Sequence, residues 1–420
     1  MGSNIKVSLL ILILFSIAQL NIKAQAALNV LTINPSPRTN ALGMAGSSLP
    51  TDDPYGFYYN PAQLGYFSQT NNLSYQLYPS NVYWDGFSDI TYRNTAVDIG
   101  YNFKHQLNGL SLSAGLGYIH SKMDYGFINY TTANNNEVTG YTLHTLHPFI
   151  SYDAYSLGIG IDYYVQLNLG LTYKSIESAI IFSDPSSQNI DIKPSAIDYG
   201  FLLTVPVTKL IYPGYKFNLL EDIEASPYLN ISAGYSRLNQ GGEVWYSDPS
   251  QKEPLPRTAM LGYALSAGLN ININDNAFKL IEYDFTADAE ELLVSNEIFP
   301  PYYSYKSGLG NISIGRNLIG LKNSDNVVVH KAHEFNLCET FTVMIGRFGK
   351  GGSYNDESNG IGLRLKGILI LLKAYTSGET FNFIADHFDV QYYSSKVNYG
   401  AYVGENKFES INLSFYNFEF

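Results

Sequence analysis

Apolar and small polar residues alternate along most of this chain with a period of two, the mark of strands with one apolar face. Over 110–118, Leu110, Leu112, Ala114, Leu116 and Tyr118 share one face, and Ser111, Ser113, Gly115 and Gly117 the other. Leu157, Ile159 and Ile161 likewise oppose Gly158, Gly160 and Asp162. Val165, Leu167, Leu169, Leu171 and Tyr173 oppose Gln166, Asn168, Gly170 and Thr172. Tyr199, Phe201 and Leu203 oppose Asp198, Gly200 and Thr204, with Leu202 breaking the polar side, and Leu229 to Tyr235 repeats the pattern. Leu261 to Ile273 is the longest clean run. Polar segments at 121–140, 175–195, 237–257, 287–308 and 349–359 read as long loops, and Asn274-Asp275-Asn276 reads as a tight turn. Long loops at one end and short turns at the other predict an all-β, antiparallel transmembrane β-barrel.

The same alternation in water would bury the apolar set in a sandwich core. Composition decides for the membrane. The chain holds 36 Tyr and 23 Phe with only 15% charged residues, more aromatic surface than a soluble enzyme hides. In a barrel those rings have a place, because Tyr and Trp sit well where hydrocarbon meets headgroups. In lipid every backbone group must pair within the protein, so strands persist only in a closed sheet. A charge on the lipid face near the midplane costs ~2–4 kcal/mol, and the apolar sets above contain no charged residue while Asp162 and Asp198 fall on the other side. After residue 26 the best apolar run is Gly367 to Leu372, stopped by Lys373, far short of the ~18 residues of a spanning helix.

The two ends carry their own signals. Lys6, the apolar run Val7–Ile17 and Ala24-Gln25-Ala26 read as a signal peptide over 1–26, so the mature chain is expected to start at Ala27 and to be exported. The net charge of −12 becomes −14 when Lys6 and Lys23 leave and no acid leaves with them, which argues against a nucleic-acid partner. Cys338, the lone cysteine, forms no intrachain disulfide. Tyr416, Phe418 and the terminal Phe420 resemble the ending by which the barrel-assembly machinery recognises outer-membrane proteins. Ile411, Leu413 and Phe415 lie on the opposite parity, which calls for a bulge near Phe415 or for two apolar faces.

No chemistry stands out. His144 and His147, and His330 and His333, are three apart and so point to opposite faces of a strand, which predicts loop or interface roles and no metal. No G-x-S-x-G elbow is present, and no spacing selects a Ser-His-acid trio, so no catalytic residue, enzyme activity or cofactor is expected. Glu282 and Asp284 oppose Ile281, Tyr283 and Phe285, while Arg364 and Lys366 oppose Ile361, Leu363 and Leu365. With Asp162 and Asp198 these are expected lumen charges, either simply solvated, or forming a polar path, or latching an internal plug by charge-assisted bonds.

The stretch from Arg38 to Gly65, RTNALGMAGSSLPTDDPYGFYYNPAQLG, is neither a strand nor a regular helix, and Pro61 predicts a bend over Tyr59 to Ala62. Arg38, Ala41, Leu42, Gly43, Met44, Ala45 and Gly46, then Asp52-Asp53, then Tyr59-Asn60-Pro61-Ala62 with Leu64, resemble the N-terminal signature of the PorV/PorQ proteins of the FadL-like superfamily. That resemblance implies an outer-membrane barrel of about 14 strands in a Gram-negative bacterium, with residues 27–70 as a hatch in the lumen and 71–420 as the barrel. It also implies that Asn60 positions the plug, and that Arg38, Gly43, Asp52, Asp53 and Pro61 belong to it. The neighbouring Tyr55, Phe57, Tyr58, Tyr59 and Tyr66 either line an apolar pocket or pack the hatch against the wall. The function implied first is binding or shuttling of secreted proteins in a type IX secretion system, with cargo and attachment-complex proteins as partners. The alternative from the superfamily is transport of a hydrophobic ligand across the outer membrane. Membrane lipid is a partner on either reading.

Overall fold

The computed structural model describes residues 27–77, 90–103, 110–133, 141–179, 192–220, 223–245, 252–297, 303–350, 354–376, 378–398 and 405–418. The expected signal peptide and Phe420 lie outside the described residues. Fourteen antiparallel strands pair in chain order: β1 (Asn71–Leu77), β2 (Thr91–Asn102), β3 (Ser111–Asp124), β4 (Phe149–Tyr163), β5 (Val165–Ser178), β6 (Ser195–Pro206) and β7 (Ile223–Gly241). The ring continues through β8 (Thr258–Ile273), β9 (Asn276–Leu292), β10 (Val327–Leu337), β11 (Phe341–Lys350), β12 (Tyr354–Arg364), β13 (Phe388–Asn398) and β14 (Glu405–Tyr416). β14 returns to pair with β1, so the sheet closes as an outer-membrane barrel must. A short strand, Phe217–Leu220, adds to the foot of β7.

The expected parity holds around the wall. Leu116, Leu171 and Ile345 are more than half exposed on the outside, whereas Ser113 and Asn168 on the inside are fully buried. Tyr118, Tyr155 and Tyr173 stand directly opposite one another on β3, β4 and β5, forming part of an aromatic girdle toward the long-loop end. Leu202, the exception on the polar side, points inward and is buried.

One expected loop is largely wall, and another begins as wall. β9 runs on to Leu292, and β11 and β12 take up most of 349–359. There the strands rise above the apolar belt, where both faces are polar and the alternation that marks lipid disappears. Three of the long connections carry two-stranded extensions: Ile128–Ala133 with Tyr141–Leu146, Glu243–Val244 with Glu253–Pro254, and Val294–Asn296 with Tyr303–Tyr305.

At the C-terminus the irregularity lies on the partner strand. Asn71 opposes Tyr416 and Leu73 opposes Phe415, so Asn72 is the extra residue, and no bulge in β14 is needed. Ile411 and Leu413 face outward, while Tyr416 turns inward and donates its hydroxyl to the Ala385 carbonyl at 2.9 Å. Phe418 follows the strand end. Its N–H donates to Asn72 Oδ1 at 3.0 Å, and its carbonyl accepts from Asn72 Nδ2 at 3.1 Å.

At the opposite end from the long loops lie Tyr164, the Asn274-Asp275 turn and two helical links. α1 (Val207–Ile211) joins β6 to β7, while α2 (Lys366–Lys373) and α3 (Glu379–His387) join β12 to β13. The apolar run Gly367–Leu372 thus forms an amphipathic helix, and no helix among the described residues is long and apolar enough to cross a membrane. Lys366, expected on a strand facing the lumen, instead starts this helix, because β12 ends at Arg364.

Candidate functional site

Residues 27–70 belong to no wall strand and are buried against inward-facing wall residues. The segment begins near the long loops, where the Ala27 N–H donates to Pro254 O at 3.0 Å. Leu28, Val30 and Leu31 pack there with Ile119, Met123 and Ile176. It ends at the short-turn rim, where the helix Gln63–Thr70 runs directly into β1. Its course therefore spans the height of the barrel. Pro37–Ala41 forms one turn of helix because Ser36 accepts the Thr39 N–H at 3.1 Å and Pro37 needs no donor partner at that place.

On the side of β2–β6 the segment is held by close approach. Gly100, Gly115, Gly158, Gly170 and Gly200 oppose one another across five neighbouring strands and form one row on the inner face. A Cβ at Gly158 would come 2.5 Å from the Gly65 nitrogen. One at Gly170 would overlap the Pro61 carbonyl, one at Gly200 the Asn60 side chain, and one at Gly115 the Ser68 hydroxyl. The wall has no side chains here because segment backbone occupies their space. Asn60 locks the bend: its Nδ2 donates to Ser47 O at 2.7 Å and to wall carbonyl Phe201 O at 2.9 Å, while its Oδ1 accepts from Ala62 N at 3.0 Å. Ser236, next in the row after Gly200, donates to Tyr59 O at 2.6 Å.

On the side of β9–β13, Gly346 lets the Leu42–Gly43 backbone close in, and charge adds the rest. Arg38 makes a two-pronged contact with Glu334, at 2.6 and 3.2 Å, and donates to Thr51 Oγ1 at 2.8 Å. Arg364 bridges wall and segment, donating to Asp52 at 3.0 Å and to Asp389. Asp288 accepts from Ser47 N at 2.8 Å and Ser48 Oγ at 2.7 Å. His330 Nδ1 bonds Gly43 O at 2.7 Å and its Nε2 bonds Glu290 at 2.9 Å. Gly43 has φ +61°, and a Cβ there would press on the Arg347 backbone, so only glycine fits.

Burial sets the protonation of these groups. It pushes the Asp52 carboxyl upward, but Arg364 and then Arg38 outweigh it and hold the group down at about 2. For Arg38 burial opposes the charge, and Glu334 more than restores it. Asp53 has no such cation bonded to it. Burial raises it, although it accepts from Ser36 Oγ and from Tyr55 N at 2.9 Å.

Between segment and wall, in the half nearer the long loops, lies a cavity of about 200 Å³. Leu31, Met44, Tyr58 and Tyr59 line it from the segment, and Leu238, Asn239, Val328, His330 and Phe348 from the wall. A bulge in β7 shapes it: Arg237 opposes Tyr199 and Gln240 opposes Ile197, so Leu238 and Asn239 together face the single residue Asp198. Asn239 has φ +56°, its N–H donates to Asp198 at 2.6 Å, and its Oδ1 accepts from Lys174 at 2.8 Å. Lys174 and Asp198 form a fully buried pair at 2.7 Å.

No family model and no curated protein sequence matches the chain. Solved structures that resemble it include the CymD monoaromatic hydrocarbon channel, 10% identical over 92% of this chain and 98% of that one, with a TM-score of 0.37. The Pseudomonas putida toluene transporter TodX is 10% identical over 90% and 96%, with a TM-score of 0.33. A Pseudomonas aeruginosa FadL homologue is 12% identical over 91% and 98%, also at 0.33. The outer-membrane barrel fold itself rests on the closed strand ladder described above.

The expected lumen charges do not form one cluster. Arg364 meets the segment, and Asp284 lies buried opposite Glu334 in register. Asp198 pairs with Lys174 by the cavity, and Glu282 is taken by Lys279 at 2.6 Å and Tyr228 at 2.7 Å. Asp162 accepts from Gln166 across the Tyr164 turn at 3.3 Å, and Lys366 reaches Glu339 at 3.4 Å. His330 is neither in a loop nor at an outer interface. It is an inward wall residue, while His333 faces out beside Tyr283 at 2.7 Å. Glu334, Asp288, Asp389 and Ser358 also touch or support the segment and carry no mark in the sequence beyond inward parity. Tyr58 and Tyr59 line the cavity, whereas Tyr55 and Phe57 pack in the core beneath it.

Proposed function

We propose that this protein is a plugged outer-membrane barrel that takes up a small hydrophobic molecule, residues 27–70 acting as its hatch. The observation that carries the reading is the cavity between hatch and wall, faced by Tyr58, Tyr59, Phe348, Leu31, Met44 and Val328 and shaped by the β7 bulge. Its size sets the ligand. An apolar cavity of ~150 Å³ holds benzene, so about 200 Å³ suits one substituted ring or a short chain, and a long acyl chain needs the hatch to shift. The polar lining does not oppose this, because His330 and Glu290 bond each other, and Asn239 is engaged by Lys174. The test is native mass spectrometry of barrel purified gently from its own membranes, with uptake of toluene-sized probes into proteoliposomes. Phe348→Glu, which places a charge in the cavity, should abolish binding and uptake while heat-modifiable folding persists. Undiminished uptake by Phe348→Glu would remove the cavity from the route.

The PorV/PorQ-like run 38–65 supports a second reading, carriage of type IX secretion cargo. The observation favouring it is the apolar surface at the long-loop end, where Phe127 and Trp245 are exposed beside two-stranded extensions. Recovery of exported proteins bearing a type IX signal domain with the purified barrel, and no small ligand, would establish that reading instead.

A further inference from the structure

The link between β12 and β13 is longer than a turn requires, and its two helices place apolar side chains against the outer face of the wall. Ile271 and Phe278 oppose each other on β8 and β9, and Ile271 and Ile273 share the outward parity of the exposed Leu265. Yet Ile271, Ile273 and Phe278 are buried, because Ile370, Leu371 and Ala374 of α2 pack on them. Asn274 in the β8–β9 turn donates to the Ala374 carbonyl at 3.0 Å and ties the helix end there. α3 does the same further round. Its Phe383 ring lies 6.0 Å from Phe388 and 6.3 Å from Phe418, and Phe388 shares the outward parity of the exposed Val390.

A second apolar stripe remains uncovered. Ile368, Leu372 and Tyr375 recur at helical spacing, and Tyr375 is 77% exposed. Phe383 and Ile384 are exposed beside them. The patch continues the apolar belt of the barrel at the level of the exposed Tyr163 and Tyr164, on the short-turn end. In outer-membrane barrels that end faces the periplasm, and an aromatic girdle marks the interface. Charge does not draw it to headgroups: Lys366 pairs with Glu339 and Lys373 with Asp386.

We propose that α2 and α3 form an interfacial anchor, lying in the plane of the periplasmic phospholipid leaflet with Ile368, Leu372 and Tyr375 inserted at the headgroup–acyl boundary. Burial of apolar area drives the insertion. The anchor fixes the depth of the barrel on the β8–β14 side.

The test places single tryptophans by Ile368→Trp, Tyr375→Trp and, as a long-loop control, Lys193→Trp, each with Trp84→Phe and Trp245→Phe. The barrels are reconstituted in phosphatidylcholine vesicles brominated at shallow or at deep acyl positions. Residues 368 and 375 should be quenched more strongly by shallow than by deep bromines, and residue 193 by neither. Quenching should persist in about 1 M salt, where charge attraction is screened within ~3 Å. Leu372→Asp should weaken quenching at 375 while the barrel keeps its heat-modifiable mobility; if that variant does not fold, the pattern at 368 decides. Water-like emission without quenching at 368 and 375 overturns the proposal. So does shielding that arises only when a protein partner is added.

Discussion

The two sides of the barrel hold the same internal segment by different physics. Against β2–β6 the contact is made by absence: five glycines in register leave room for backbone, and Asn60 and Pro61 fill it. Against β9–β13 one close approach of backbone, at Gly346, is joined by Arg38–Glu334, Arg364–Asp52 and the Asp288 bonds to Ser47 and Ser48, which have no counterpart among the described residues of the other side. Close packing of backbone on backbone is indifferent to pH and salt, and it forbids small changes of shape. Charge-assisted bonds are strong in a buried site but depend on both partners. The β9–β13 side is therefore where a ligand or a change of conditions can release the segment, and the glycine side is where it stays.

The largest effect should follow a side chain in the glycine row. Gly170→Val would overlap the Pro61 backbone, which cannot move aside as a flexible side chain can, so the cost should exceed the ~1–3 kcal/mol of ordinary overpacking. Loss of heat-modifiable barrel is expected, whereas Gly242→Val, at a position open on all sides, should assemble normally. Equal recovery of both would mean that the segment does not rest on this row.

Removing Arg364 should do less to assembly and more to the seal. Arg364→Ala leaves Asp52 and Asp389 without their cation, a loss on the order of 3–5 kcal/mol for a buried pair. In planar bilayers the variant should conduct ions in bursts that the parent does not show. A variant as silent as the parent would place the seal on the glycine side alone.

The smallest effect is a pH dependence. The folded Asp52 sits at about 2, below its ordinary 3.8, so its contribution to stability is complete above ~4 and is lost as pH falls toward 2. Asp52→Asn should therefore lower stability by the same amount at pH 7 and pH 4.5, and the deficit should shrink below pH 4. A deficit that already fades between pH 7 and pH 5 would show that Arg364 does not hold the carboxylate.

The wall was legible because a lipid-facing strand must keep charge off every second position. Leu112 with Ser113, and Leu171 with Thr172, announce their faces without any tertiary information. Parity also picked out Arg364, Asp198 and Asp284 as inward groups. It could not name their partners, since Arg38 and Glu334 stand 296 residues apart. The glycine row was illegible for a related reason. Each strand shows one or two glycines among small residues, and only the pairing of five strands brings Gly100, Gly115, Gly158, Gly170 and Gly200 level. Asn60 was singled out through family likeness alone, since its bonds to the Phe201 and Ser47 carbonyls join distant parts of the chain. His330 was misplaced because its spacing to His333 describes faces, and nothing in it reveals that Gly43 and Glu290 wait on the inner one.

The seam between β1 and β14 sets an order of events. Ser74 and Ser414, bonded at 2.8 Å across it, are separated by 340 residues, so the barrel shuts only after nearly the whole chain is in place. The internal segment enters the wall at that same seam, through Asn71. It occupies space that the glycine row offers only from within. Closing the seam and seating residues 27–70 are therefore coupled: the stitch from Asn72 to Phe418 lies one residue from the point where the segment joins the wall.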